Sequence, residues 1–281
     1  CGSRAGLFTT SHCYRDPLPA WVRTFNARGA PFRAADRAWT PLLPDSAYAE
    51  PDSAPWENGG RDVTFPHRLP ADTARAAALF VGTPWMDSLT LAFALDGVAA
   101  LGLGRRDGAD LLAVSLSATD AIGHTFGPDS REVHDQIVRL DRALGWFLGR
   151  LEAVVGAGQL VVVLTADHGV TPFPAAARAR GVEAYDVALD TLITAVNREL
   201  DAAYRSQHDP ENWLVLDEGI VFLRDNGRLA PAGIPLDSVW TALAARVRRV
   251  PGVARVDRPA DLATADTTAD PVARRWVHHL A

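Results

Sequence analysis

Four side chains in two short segments have the types and spacing for metal chemistry: Asp120 with His124, and Asp167 with His168. Carboxylate oxygen and imidazole nitrogen are both ligands that zinc accepts. Each pair follows an apolar run. The first run, Leu111-Leu112-Ala113-Val114-Ser115-Leu116, leads into Ser117-Ala118-Thr119-Asp120-Ala121-Ile122-Gly123-His124. The second, Leu160-Val161-Val162-Val163-Leu164, leads into Thr165-Ala166-Asp167-His168-Gly169. Continuous apolar runs bounded by turn residues predict strands buried on both faces of a parallel sheet. Ligands in open α/β sheets bind just beyond the carboxyl ends of such strands, which would bring all four side chains to one rim. The step from Asp120 to His124 puts both on one face of a helical turn. Each pair also has a plainer reading, Asp120 as a helix cap and Asp167-His168-Gly169 as an ordinary turn. The recurrence of an acid and a histidine after two equivalent strand ends favours metal.

The elements that must position these residues follow from the periodicity between and around them. Val133, Ile137, Leu140, Leu144, Phe147, Leu148, Leu151 and Val154 recur at helical spacing, and Asp129 with Glu132 marks the helix start. This is the crossover helix of a βαβ unit joining strands 111–116 and 160–164; His134 lies on its solvated side. Upstream, Asp72 caps a helix that Gly82-Thr83-Pro84 breaks, and a second helix from about Asp87 presents Leu91, Phe93, Ala94, Leu95, Val98 and Leu101 before Gly102. Prolines recur throughout residues 1–70 and exclude long regular elements there, leaving one short helix over 19–26. Trp21, Phe25, Trp39, Trp56 and Phe65 are expected to pack across this region, and His67 to be packed or hydrogen-bonded rather than a metal ligand.

Beyond Gly169 the pattern changes. A helix over 185–204, a hairpin of 213–216 with 220–223 around Asp217-Glu218-Gly219, a helix over 236–250 and a strand over 253–256 are expected. That order suits a small α+β insertion over 175–258, or simply more of the main domain, within one incomplete α/β domain over 1–281.

Composition narrows the functional classes. An apolar share of 48% with 22% charged residues is that of a globular domain. A net charge of −6 argues against nucleic acid as the main partner, because phosphate backbones demand a basic face. Every basic residue is arginine, which together with the abundant alanine reads as a compositional bias. No run approaches the ~18 apolar residues of a membrane-spanning helix. No signal peptide is visible, which says little in a chain that opens on Cys1 and whose one methionine is Met86. Cys1 and Cys13 either pair or are both free.

Ser117-Ala118-Thr119-Asp120-Ala121-Ile122-Gly123-His124-Thr125-Phe126-Gly127-Pro128 resembles the S-x-T-D-x-x-G-H-x-x-G element of the alkaline phosphatase superfamily. Its nearest likeness is to phosphate-irrepressible bacterial alkaline phosphatases and to type I phosphodiesterases and nucleotide pyrophosphatases. Thr165-Ala166-Asp167-His168-Gly169 is similar to that family's second metal motif. Phe8-Thr9-Thr10-Ser11, Leu18-Pro19-Ala20-Trp21-Val22, Phe65-Pro66-His67 and Phe93-Ala94-Leu95 fall in the family's order as well.

The resemblance implies a mostly parallel sheet flanked by helices, two Zn2+ ions (other divalent metals, such as manganese, being alternatives), and a phosphorylated small-molecule substrate. It assigns Asp120 and His124 to one metal and Asp167 and His168 to the other. It implies hydrolysis of phosphate monoesters through a covalent phospho-Thr/Ser enzyme, and a periplasmic or secreted parent. The family's nucleophile, its N-terminal Asp and its Lys-x-Arg element are expected upstream of residue 1, so the chain alone is expected to be inactive. Its H-G-S-P-x-x-Y-D element is absent, and His278 and His279 lack that context. Two other functions remain open: a phosphodiesterase or nucleotide pyrophosphatase on the same fold, and a non-catalytic α/β binding module.

Overall fold

A computed structural model of the protein describes residues 6–204, 213–217, 219–223, 235–262 and 264–280. The chain divides into two compact units, 1–176 and 177–281.

In the first unit, Pro19 sits at the N-cap of α1 (Ala20–Ala27), where its missing N–H is no loss. Gly29, at φ 57°, turns the chain into α2 (Ala30–Arg33). The proline-rich stretch that follows contributes two short strands, β1 (Ala38–Trp39) and β2 (His67–Arg68), paired antiparallel with Trp39 opposite His67. Asp72 caps α3 (Thr73–Leu79) by accepting from the Arg75 N–H at 2.7 Å. Next comes α4 (Trp85–Leu101), ended by Gly102 in the left-handed region. Two further helices complete the part of this unit that bears the predicted site, α5 (Ala118–Phe126) and α6 (Arg131–Val155). The N-cap of α6 is Ser130, which accepts from the Val133 N–H at 3.2 Å, and not Asp129 as the sequence suggested.

Four apolar clusters hold these helices together, one of them Ala34, Leu69, Ala76 and Phe80 with Trp85 and Leu89 of α4. Phe8, Val22 and Phe25 pack with Phe93 of α4, the Phe8 and Phe93 rings stacked at 4.0 Å. Leu91, Ala94 and Val98 of α4 meet Phe147 and Leu151 of α6. Ala118, Ile122 and Phe126 of α5 pack with Trp39 and Val133.

The two apolar runs expected to be doubly buried strands behave differently. Residues 111–117 and 159–166 carry no strand pairing, and the ladders among the described residues are all antiparallel. Val114, Leu116 and Leu160 pack against the α4–α6 cluster, while Leu111 is 91% exposed and Val163 84% exposed. A strand requires a neighbour about 4.8 Å away to take its N–H and C=O groups. Neither run has one among the described residues, so each is strand-like in composition without a ladder. Helix α6 between them forms as expected, though without paired strands for it to join.

The first half of α6 also departs from the apolar stripe. Ile137 is exposed, and Glu132, Asp135 and Gln136 are buried in its place. His134 is partly exposed rather than free in solvent: its Nδ1 stands 3.0 Å from Glu50 Oε2, beside the Tyr48 ring.

Helix α7 (Pro174–Ala179) spans the boundary between the units. The second unit contains α8 (Leu189–Tyr204), the antiparallel hairpin of β3 (Leu214–Asp217) and β4 (Ile220–Leu223), α9 (Leu236–Val247), α10 (Pro259–Leu262) and α11 (Pro271–Leu280). The expected hairpin forms, pairing Leu214 with Leu223 and Asp217 with Ile220, so Asp217, expected in the connecting loop, ends β3; Glu218 of its turn lies outside the described residues. Its core is Ile193, Val196, Leu200, Leu214, Leu243 and Val247. Asn197, buried, donates to the Leu214 carbonyl at 2.9 Å and accepts from the Leu214 N–H at 2.8 Å, fixing β3 to α8. Residues 253–256 are not a strand.

No single helix among the described residues is long and apolar enough to cross a membrane. Cys13 is exposed and not in a disulfide; Cys1 lies outside the described residues, as does the side chain of His279.

Candidate metal centre

Helix α5 sorts its own residues into two faces. Ala118, Ile122 and Phe126, at successive steps of four, are buried. Asp120 and His124 fall on the other face by the same spacing, and His124 Nε2 stands 3.4 Å from Asp120 Oδ1. Burial of Ile122 at 0% exposure therefore fixes the direction in which Asp120 and His124 point.

The second pair reaches the same place by a loop. Residues 167–173 return alongside the end of α5, where Gly127 closes the helix at φ 94°. A Cβ at Gly127 would stand 3.2 Å from the Phe173 ring, so glycine is what allows Phe173 to lie there. His168 Nε2 is 3.9 Å from Asp120 Oδ1 and 3.6 Å from Asp167 Oδ2. The structure thus brings the two predicted pairs together, with Asp120 between the two histidines.

His168 is oriented by its own backbone. Its N–H donates to Asp167 Oδ1 at 3.0 Å, and its Nδ1 lies 2.9 Å from the Gly169 carbonyl. A carbonyl only accepts, so in the neutral imidazole the proton belongs on Nδ1 and the lone pair a cation takes on Nε2.

Two ligands of a tetrahedral zinc, each ~2.0–2.1 Å from the ion, stand roughly 3.3 Å apart. The Asp120–His124 separation matches that figure and the separations at His168 exceed it modestly. All four side chains are at least 48% exposed, and among the described residues no set of three or more His, Cys, Asp or Glu side chains closes on a common point. The donor chemistry fits a divalent cation, in an open arrangement rather than a closed cage.

Behind α5 lies a buried polar layer. His67, expected to be packed or hydrogen-bonded, is both: it places Nε2 2.8 Å from Glu132 Oε1 and packs its ring on Phe126 at 4.7 Å. Burial pulls the His67 imidazole down, but the hydrogen bond and charge of Glu132 outweigh it and raise the pKa. Glu57 faces the same cluster with Oε2 lacking a partner, and its carboxyl is pushed up to about 7, by burial first and the Glu132 charge second. Asp135 accepts from Trp39 Nε1 at 2.6 Å, the Leu42 N–H at 2.6 Å, the Tyr48 hydroxyl at 2.7 Å and Arg139 Nε at 2.5 Å. Burial alone would raise the Asp135 pKa, yet these four donors hold it below the usual carboxylate range.

Sequence reasoning missed this layer. The one available signal was a run of polar residues, Glu132, Asp135 and Gln136, on the helix face that should have been apolar.

Comparison with known proteins shows the family and the fold. Residues 7–224 match the family model described as type I phosphodiesterase / nucleotide pyrophosphatase. Over 255 residues the chain is 32% identical to alkaline phosphatase PafA of Elizabethkingia meningoseptica, a match covering 88% of this chain and 46% of the relative. Alkaline phosphatase PhoV of Synechococcus elongatus is 38% identical over 174 residues, 60% of this chain and 32% of the relative. The crystal structure of wild-type PafA superposes with a TM-score of 0.76 at 29% identity, covering 93% of this chain and 50% of that one. The chain therefore has the α/β fold of these phosphatases while spanning at most about half the length of the relatives it matches. With its motifs in order and the family model covering most of its length, the chain belongs to the type I phosphodiesterase / nucleotide pyrophosphatase family.

Proposed function

We propose that this chain forms the divalent-cation site of a phosphohydrolase acting on phosphate monoesters. The observation that carries the proposal is the meeting of Asp120, His124 and His168, with the two histidine nitrogens 3.4 Å and 3.9 Å from one carboxylate oxygen. Asp120 and His124 hold one ion, and Asp167 and His168 contribute to a second; zinc suits this donor set, and other divalent metals are admissible. Bound divalent metal supplies charge that stabilises the phosphoryl oxygens and activates a hydroxyl nucleophile.

The chain's own part is positional. Asp120 presents its carboxylate from the first turn of α5, and the buried Ile122 face prevents that turn from rotating. The His168–Gly169 contact keeps the Nε2 lone pair outward. A Thr or Ser that attacks phosphorus and carries the covalent intermediate is assigned to no residue of this sequence. Residues 175–258 are read as a small α+β insertion in the hydrolase fold, and the setting as periplasmic or extracellular.

The test is hydrolysis of p-nitrophenyl phosphate and bis(p-nitrophenyl) phosphate by the zinc-loaded protein and by Asp167→Ala. Faster cleavage of the monoester, lost in the variant, is the expected result for a protein that also holds the nucleophile. Zinc bound through Asp120 and Asp167 with neither ester cleaved places the nucleophile outside these residues. Faster cleavage of the diester would make it a phosphodiesterase. Measurable hydrolysis that is equal in the two proteins would remove Asp167 from the chemistry.

A further inference from the structure

Helix α5 begins without a cap of its own. The side chain of Ser117, at the N-cap, accepts no hydrogen bond from the first turn, and Ala118 is fully buried, away from water that would serve instead. An orphan N–H in such a place is costly unless another group accepts it.

The acceptor comes from a different helix. Asp87, in the first turn of α4, is 1% exposed, and its Oδ1 accepts from the Ala118 N–H at 3.1 Å. Its Oδ2 accepts from Gln136 Nε2 of α6 at 2.8 Å, and that same Nε2 lies 3.3 Å from Thr119 Oγ1. Two helices thus converge through side chains on residues 118 and 119, immediately before Asp120. No apolar contact explains a carboxylate and an amide buried at this depth, and burial raises the Asp87 pKa despite its hydrogen bonds.

We infer that Asp87 and Gln136 are positioning residues for the cation site, fixing the first turn of α5 and hence the direction of Asp120. Neither reaches the site itself. The inference rests on the reading of Asp120 and His124 as metal ligands, in the same way that partners behind a ligand tune affinity in other metal sites.

Asparagine at position 87 is the discriminating substitution. It keeps the oxygen that accepts from Ala118 but places an NH2 group opposite Gln136 Nε2. Gln136 Oε1 has no hydrogen-bond partner in the structure. Turning the Gln136 amide over would let that oxygen accept from the new NH2 and from the Thr119 hydroxyl. The contacts among residues 87, 118, 119 and 136 then survive with the charge removed, whereas Asp87→Ala strands the Ala118 N–H and leaves the Gln136 amide only its longer contact to Thr119 Oγ1.

The experiment titrates the full chain with Co2+, followed by its visible absorption, and measures amide hydrogen exchange along α4 and α5. Four proteins are compared: the parent, Asp87→Ala, Asp87→Asn and Asp120→Ala. Asp87→Ala is expected to weaken Co2+ binding about 10-fold, at the lower end of the effect of removing a partner behind a ligand. It should also speed exchange in α5 but not in α4, with Asp87→Asn restoring both. If Asp87→Ala does not fold, Gln136→Ala takes its place and is expected to move the same two readouts in the same direction.

Equal Co2+ affinity and equal α5 exchange in the parent and the alanine variant would overturn the inference. So would an asparagine variant as impaired as the alanine one. Asp120→Ala separates this from the metal reading. If it leaves Co2+ binding unchanged, the cation site is wrong, and α5 exchange alone decides whether Asp87 fixes the helix.

Discussion

Replacing Glu57 by Gln should make the protein's stability less dependent on pH, and the size of the effect follows from the cluster behind α5. Glu57 is 3% exposed, faces Glu132 and His67, and leaves Oε2 without a partner. Its carboxyl moves from an ordinary 4.5 to about 7 in the folded protein. Between those values the native state holds a proton that the unfolded state has released, so stability falls as pH rises through that window. At 1.36 kcal/mol per unit, the loss is at most about 3 kcal/mol. Glutamine keeps the shape and remains neutral, so it removes this loss. His67, whose folded pKa is raised on balance, contributes stability that is present below 6.5 and lost as pH rises through its folded value. That contribution has the same sign and is common to both proteins, so it largely cancels in their difference. Urea unfolding of parent and Glu57→Gln at pH 5 and pH 8 measures the result. The stability gap in favour of the variant should widen by about 2–3 kcal/mol at the higher pH. A gap constant within about 0.5 kcal/mol, the range of an ordinary surface change, would refute a buried, proton-holding Glu57.

Three further outcomes are expected. Ile122→Ala, which empties the centre of the α5 contact, should cost about 2–5 kcal/mol in thermal unfolding. Ser130→Ala removes the acceptor for the Val133 N–H and should lower stability by ~1 kcal/mol in urea unfolding. Gly127→Ala meets both a left-handed backbone and the Phe173 ring 3.2 Å away, and should destabilise by more than the ~1 kcal/mol that a compatible Gly→Ala change gains. The same unfolding measurement checks it.

The residues proposed for the site stand out in the sequence because their signals are local. Asp120 and His124 share a helix face by spacing alone, and Asp167-His168-Gly169 repeats their chemistry after a second apolar run. Helices α4 and α6 and the β3–β4 hairpin were legible for the same reason, since periodicity and turn residues are read within a short window. What supports the site was not legible. Asp135 reaches Trp39, Leu42 and Tyr48 from 87–96 residues away, and Asp87 meets Ala118 across 31. No local pattern distinguishes such an aspartate from a solvated one. Sequence reading also favours apolar stripes, so it put Ile137 on the inner face of α6 where Gln136 and Glu132 belong. The runs at 111–116 and 160–164 show the converse limit. Composition gives strand propensity, but a ladder depends on a neighbour that the run itself does not contain.

The most direct test of the central claim is zinc content by elemental analysis of the purified chain beside an Asp167→Ala/His168→Ala double variant. Zinc near stoichiometric in the parent and lost in the variant is the predicted result. Zinc absent from the parent, or retained undiminished in the variant, would contradict the assignment of a metal site to these residues.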